Sequence, residues 1–127
     1  MRDGLVLTDG DRTVTINQRS YCELIKWLIV EYAGVSYQEA SACVELRASF
    51  FESICTPEDA ALESHYWPYY YAAMDMFFGG QIYARPVLPP PDTPEGFDLY
   101  EKIEADILRE HNLKDPVRWD PIIWENN

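Results

Sequence analysis

Residues 18–33 most constrain what this chain can fold into. Tyr21, Leu24, Ile25, Leu28 and Tyr32 recur at helical spacing, and Trp27, Ile29 and Val30 widen their stripe until the helix is apolar nearly all round. Such a helix is stable only when other elements surround it. The rest of the chain must therefore wrap residues 18–33, with Asn17 placed to cap the start and Gly34 to end the helix. Material for this is ample: 47% of the 127 residues are hydrophobic and 14% aromatic, which excludes a disordered chain and suits one domain over 1–127.

Local signals divide the remainder. Residues 1–16 read as a β-hairpin, with Leu5–Thr8 and Thr13–Ile16 joined through Asp9-Gly10. A two-stranded ribbon is marginal alone, so its Leu5/Leu7 and Val14/Ile16 face must lie on helices. Ser36 and Glu39 fit a capping box opening a second helix, whose inner face is Ala40, Cys43, Val44, Phe50, Phe51 and Ile54. Thr56-Pro57-Glu58-Asp59 opens a third, combining a cap, a first-turn proline and dipole-compensating acids. Pro68 must kink or restart it, because its ring has no N–H and clashes with the preceding turn. Gly79-Gly80 ends the run, and 17–85 forms the helical core. Residues 86–94 are a proline-rich connector, 95–112 an acidic helix capped by Thr93 with Pro94 first, and 113–127 a tail. Trp119, Ile122, Ile123 and Trp124 in that tail should not stay in water: it folds back over the helices or buries itself in another subunit or partner. The fold expected is mainly α, a compact bundle of four to five helices with a short N-terminal hairpin.

The charge excludes whole classes of function. Ten basic residues against 22 acidic ones give −12, concentrated beyond residue 34. Nucleic acid and anionic membrane surfaces both demand the opposite sign. No stretch approaches the apolar length of a membrane span, and the start lacks a signal peptide's pattern, so a cytoplasmic location is expected. A basic protein partner is the association that such a field favours, although acidity also serves plain solubility.

The run His65-Tyr66-Trp67-Pro68-Tyr69-Tyr70-Tyr71 is the most unusual local feature. Seven consecutive residues cannot all face one core, so two or three rings should remain partly exposed. They form either a recognition surface or a kinked helix whose phenols bond within the domain. The candidate partner-binding set is His65, Tyr66, Trp67, Tyr69, Tyr70, Tyr71 and Glu63, with Glu101 and Glu104 of the last helix. His65 is the best acid–base group, but neither a nucleophile nor an orienting partner can be assigned to it, and no phosphate loop, HExxH, GxSxG or EF-hand motif occurs. No catalytic residue, cofactor or metal is expected. Cys22, Cys43 and Cys55 form no CxxC and read as reduced thiols, and neither His65 nor His111 has zinc-ligand spacing to them.

The segment Glu63–Met74, with His65, Tyr70-Tyr71-Ala72-Ala73-Met74 and Gly79 after it, resembles a His…Tyr-Tyr-x-Ala-Met stretch of short uncharacterised helical proteins of Gram-positive bacteria and their mobile elements. The resemblance is confined to residues 63–79 and implies a small accessory protein without assigned chemistry. Three functions stay open. The first is an acidic protein-binding module of the immunity, antitoxin or anti-defence type. The second is a homodimeric or structural adaptor, and the third is a small enzyme or ligand-binding protein centred on His65.

Overall fold

A computed structural model describes residues 1–79 and 85–121. Strands β1 (Leu5–Asp9) and β2 (Arg12–Ile16) precede α1 (Gln18–Ala33), α2 (Tyr37–Glu45), α3 (Ala48–Glu52), α4 (Pro57–Ser64), α5 (Tyr70–Phe78), α6 (Pro94–Glu110) and β3 (Val117–Pro121). The protein is mainly α with a small antiparallel sheet of order β1-β2-β3. Gly80 and the Ile122–Trp124 part of the tail lie outside the described residues.

The expected central helix is central. Leu24, Ile25, Leu28, Ile29 and Tyr32 of α1 are fully buried, and α2, α3, α5 and α6 all pack on it. The αL residue Gly34 ends it, with its N–H bonded to the Val30 carbonyl at 3.1 Å. Asn17 does not cap it through its side chain. Its Oδ1 instead accepts from Gly4 N–H (2.8 Å), and its Nδ2 donates to the Asp115 carbonyl (2.7 Å). The first-turn donors go to the chain start: Gln18 N–H to the Arg2 carbonyl, Ser20 N–H to Asp3. Asn17 thus ties the segments at Gly4 and Asp115 to the core.

The hairpin pairs Leu5 with Ile16 and Leu7 with Val14, and Val14 and Ile16 are buried. The described part of the tail, as far as Pro121, folds back in cis. Val117–Pro121 runs antiparallel to β2 as a third strand, while Trp119 donates to Ser64 Oγ on α4 (3.1 Å) and carries Arg12 over its ring. Thr56 and Asp59 form a complete capping box on α4. At Ser36 only half of the expected box is made, Ser36 Oγ accepting from Glu39 N–H. Pro68 restarts the chain as α5, as its missing N–H requires.

One correction concerns the second helix, which is two. At Leu46–Arg47 the backbone tightens to i→i−3 bonds, Arg47 N–H to the Val44 carbonyl and Phe50 N–H to that of Arg47. This turn sends Phe51 and Ile54 into the core, Phe51 edge-on to Tyr21, and leaves Phe50 at the surface. The described residues therefore hold six helices, more than the four to five expected.

Cys22 is buried, Cys43 half-buried and donating to the Met76 carbonyl, and Cys55 exposed; all three are free thiols. Burial pushes the Cys22 thiol up to about 11, which keeps it protonated and unreactive at neutral pH.

The core holds one unmet polar atom among the described residues, the Tyr32 hydroxyl. Burial raises that phenol to about 12. A sealed hydroxyl without an acceptor loses its water and gains nothing in return. Tyr32→Phe is therefore expected to stabilise the protein by about 1 kcal/mol, read as a raised urea midpoint at unchanged slope. A loss of stability instead would mean that the hydroxyl is bonded.

Candidate functional site

The break between α2 and α3 opens a groove. Leu46, Arg47, Phe50 and Ser53 form one wall, and Leu62, Tyr66, Tyr71 and Asp75, from α4, the turn after it and α5, form the other. Tyr21 of α1 and Glu63 of α4 also line it, and its volume is about 780 Å³. Among the described residues nine large apolar side chains are exposed, and five of them (Leu46, Phe50, Leu62, Tyr66 and Tyr71) line this one groove. Leu46 is 88% exposed, which no folding argument favours.

Glu63 is the groove's chemical feature. It is 5% exposed, and Tyr21 donates its hydroxyl to Oε2 at 3.1 Å. No cation lies within 4 Å of it among the described residues. Burial holds this carboxyl above the usual range; the Tyr21 hydrogen bond opposes the shift, and the charge of Asp59 adds to it. Tyr21 is likewise pushed up, by burial first and then by Glu63. For a carboxyl raised on folding, the folded state holds its proton more tightly than the unfolded chain. Stability is then greatest below the ordinary carboxylate value and falls as pH rises through the shifted one. Glu63→Gln keeps an acceptor for Tyr21 and removes the buried charge. It is expected to stabilise the protein at pH 7 by about 1 kcal/mol, with the gain vanishing near pH 4. Denaturation curves at the two pH values decide, and an equal effect at both would remove the charge from the explanation.

The nine expected partner-binding residues separate into distinct places. Tyr66 and Tyr71 stand exposed in the groove with Glu63 beneath. Tyr69 and Tyr70 are in the core: Tyr69 packs on Tyr21 and its N–H donates to Tyr100 Oη (3.0 Å), while Tyr70 meets Tyr32 edge-on. As surface contacts these two are corrected, because the α5 face that seals α1 needs them. Glu63 is mostly enclosed but still lines the groove.

Trp67 points away from the groove toward α6. It lies edge-on to Phe97 and donates Nε1–H to Glu104 Oε2 (3.0 Å). Glu104 is half-buried, and burial raises its carboxyl against the Trp67 hydrogen bond, with Asp115 adding to the rise. Glu101 is exposed beside it. A cleft of about 310 Å³ runs here between Trp67, Glu104 and Asp115.

His65 lies outside both hollows. It ends α4, with Nδ1 at 2.6 Å from the Ala61 carbonyl, so that nitrogen carries the proton. His111 stacks on Trp27 at 3.9 Å between centroids. Among the described residues no group of three or more His, Cys, Asp or Glu could hold a metal ion, and no helix is long and apolar enough to cross a membrane.

Leu46, Phe50 and Leu62 escaped the sequence reading as site residues. Phe50 counted as inner face because the break at Leu46–Arg47 carries no Gly or Pro. Leu46 and Leu62 lie off the apolar stripes, and that isolation was the available signal.

Neither a protein-family model, nor a curated protein, nor a solved structure matches the chain.

Proposed function

We propose that this protein is a small acidic binding module that masks a basic-surfaced protein, in the manner of an immunity protein, antitoxin or anti-defence inhibitor acting in the cytoplasm. The carrying observation is the groove, where exposed apolar side chains gather within a segment of acidic composition. Residues 37–78, which contain both walls, hold seven carboxylates and a single guanidinium, Arg47. Apolar contact would supply affinity, and the field would speed capture and select the sign of the partner. The likeness of residues 63–74 to accessory proteins of mobile elements fits the same reading.

The net charge of −12 also disfavours a second copy of this chain as occupant, since like fields repel. A His65-centred enzyme has less to support it, because His65 lines neither hollow and has no carboxylate partner among the described residues.

The test compares two baits in extracts of the native host, wild type and Tyr66→Ala/Leu62→Ser. A basic protein retained by the first and lost by the second, with retention falling between 50 and about 500 mM salt as screening requires, is the expected result. Equal retention by both baits, or indifference to salt, would overturn the reading. A concentration-independent dimer in light scattering would favour the adaptor instead.

A further inference from the structure

Resting on the groove as the docking surface, we propose that Glu63 is the acceptor for a cationic side chain, the tip of a lysine or arginine on the partner segment that fills the groove. Glu63 as a residue is only 5% exposed, yet among the described residues only the Tyr21 hydroxyl bonds its carboxylate, at Oε2. The second oxygen of Glu63 has no hydrogen bond among the described residues, and Glu63 lines the groove. A buried carboxylate ordinarily has a cation or several donors. Here neither Arg47, the one cation among the described lining residues, nor any other described Lys, Arg or His comes within 4 Å of it. The shortfall is met when the partner supplies the charge.

The surroundings suit such a tip. Tyr66, Tyr71 and Phe50 are exposed and line the groove, so a cation there would find aromatic rings for its head and apolar wall for its aliphatic stem. Asp75 also lines the groove as a second carboxylate. Selection follows from the asymmetry of buried polar groups. A segment with leucine or norleucine in place of the cation would cover the same walls but leave Glu63 unpaired, and rejection on such grounds is strong.

The test uses n-octylammonium, which has lysine's head on an alkyl stem, and n-octanol as its uncharged counterpart, titrated at pH 8 and followed by the NMR signals of the Tyr66 and Tyr71 rings. Wild type is expected to bind the ammonium at least tenfold more tightly than the alcohol, and Glu63→Gln to bring the two to parity. Because Glu63→Gln removes a buried charge, it should fold at least as well as wild type, so lost preference would not reflect unfolding. Glu101→Gln, the same change of charge on α6 outside the groove, should leave the preference intact. Equal binding of both probes by wild type, a preference surviving Glu63→Gln, a preference lost equally in Glu101→Gln, or no binding at all would each overturn the assignment. Ammonium preference with no basic protein recovered from the host would defeat the docking reading while keeping Glu63 as a cation acceptor. Recovery of that protein by wild type and Glu63→Gln alike would do the reverse.

Discussion

Replacing Gly96 with alanine is expected to destabilise the protein by about 3 kcal/mol, although helix propensity by itself forecasts a gain of about 1 kcal/mol. Gly96 lies in the first turn of α6, where its N–H donates to Thr93 Oγ at 3.0 Å. The proline-rich connector runs back across this turn. A β-carbon at Gly96 would overlap the carbonyl oxygen of Pro90 and crowd Thr93 Oγ at 3.1 Å. The first obstacle is backbone, held by prolines with fixed φ, so it cannot swing aside as a side-chain tip could. The second is the cap itself, and moving it loosens the start of the helix that buries Tyr100 and Ile107. Denaturant titration should show a lower midpoint, and far-UV circular dichroism should show the loss falling on helix. A Gly96→Ala protein as stable as wild type would mean that the connector yields freely.

Gly96 also shows where sequence reading stops. Elements opened by local signals were legible: the Asp9-Gly10 hairpin, the starts at Thr56-Pro57 and Thr93-Pro94, and the stop at Gly34 all depend on residues within a few positions of one another. The central place of α1 was legible for a different reason, since an all-apolar helix leaves no other arrangement. What was not legible depends on distant chain. Val117–Pro121 is a strand because β2 offers it an open edge more than a hundred residues upstream, and its prolines and charges argue otherwise locally. Asn17 reads as a cap, yet it bonds Gly4 and Asp115 because those segments arrive there.

The site was legible by half. A run of seven aromatic-rich residues had to expose some rings, and it exposes Tyr66, Trp67 and Tyr71. Which rings, and toward what, depends on the restart at Pro68. The restart turns Tyr69 and Tyr70 inward against Tyr21 and Tyr32 and sends Trp67 to α6, on a different face from its neighbour Tyr66. Nothing in the run's composition distinguishes these outcomes.

Lys26 carries the other large effect. Within a helix apolar nearly all round it is 3% exposed, and its ammonium bonds Glu23 at 3.2 Å and also Glu45. Tyr37 donates its hydroxyl to the other oxygen of Glu23 (2.7 Å) and stacks on Trp27, which stacks in turn on His111. Burial pushes the ammonium down, but the hydrogen bonds to Glu45 and Glu23 outweigh it and hold the group above its ordinary value. The pairing therefore wins over desolvation, and with a raised value its contribution is complete at neutral pH and fades only as strong alkali removes the proton. Lys26→Met fills the same space with an apolar chain and strands Glu23 beside the core. The expected cost is about 2–3 kcal/mol, toward the low end for a broken buried pair because Glu45 is half exposed and its share is screened. Adding Glu23→Gln to Lys26→Met should recover at least half of that loss, since the stranded charge is then gone while Tyr37 keeps an acceptor. If the double variant is no more stable than Lys26→Met in urea titrations, the cost lies in lost packing of the lysine stem and not in the unpaired carboxylate.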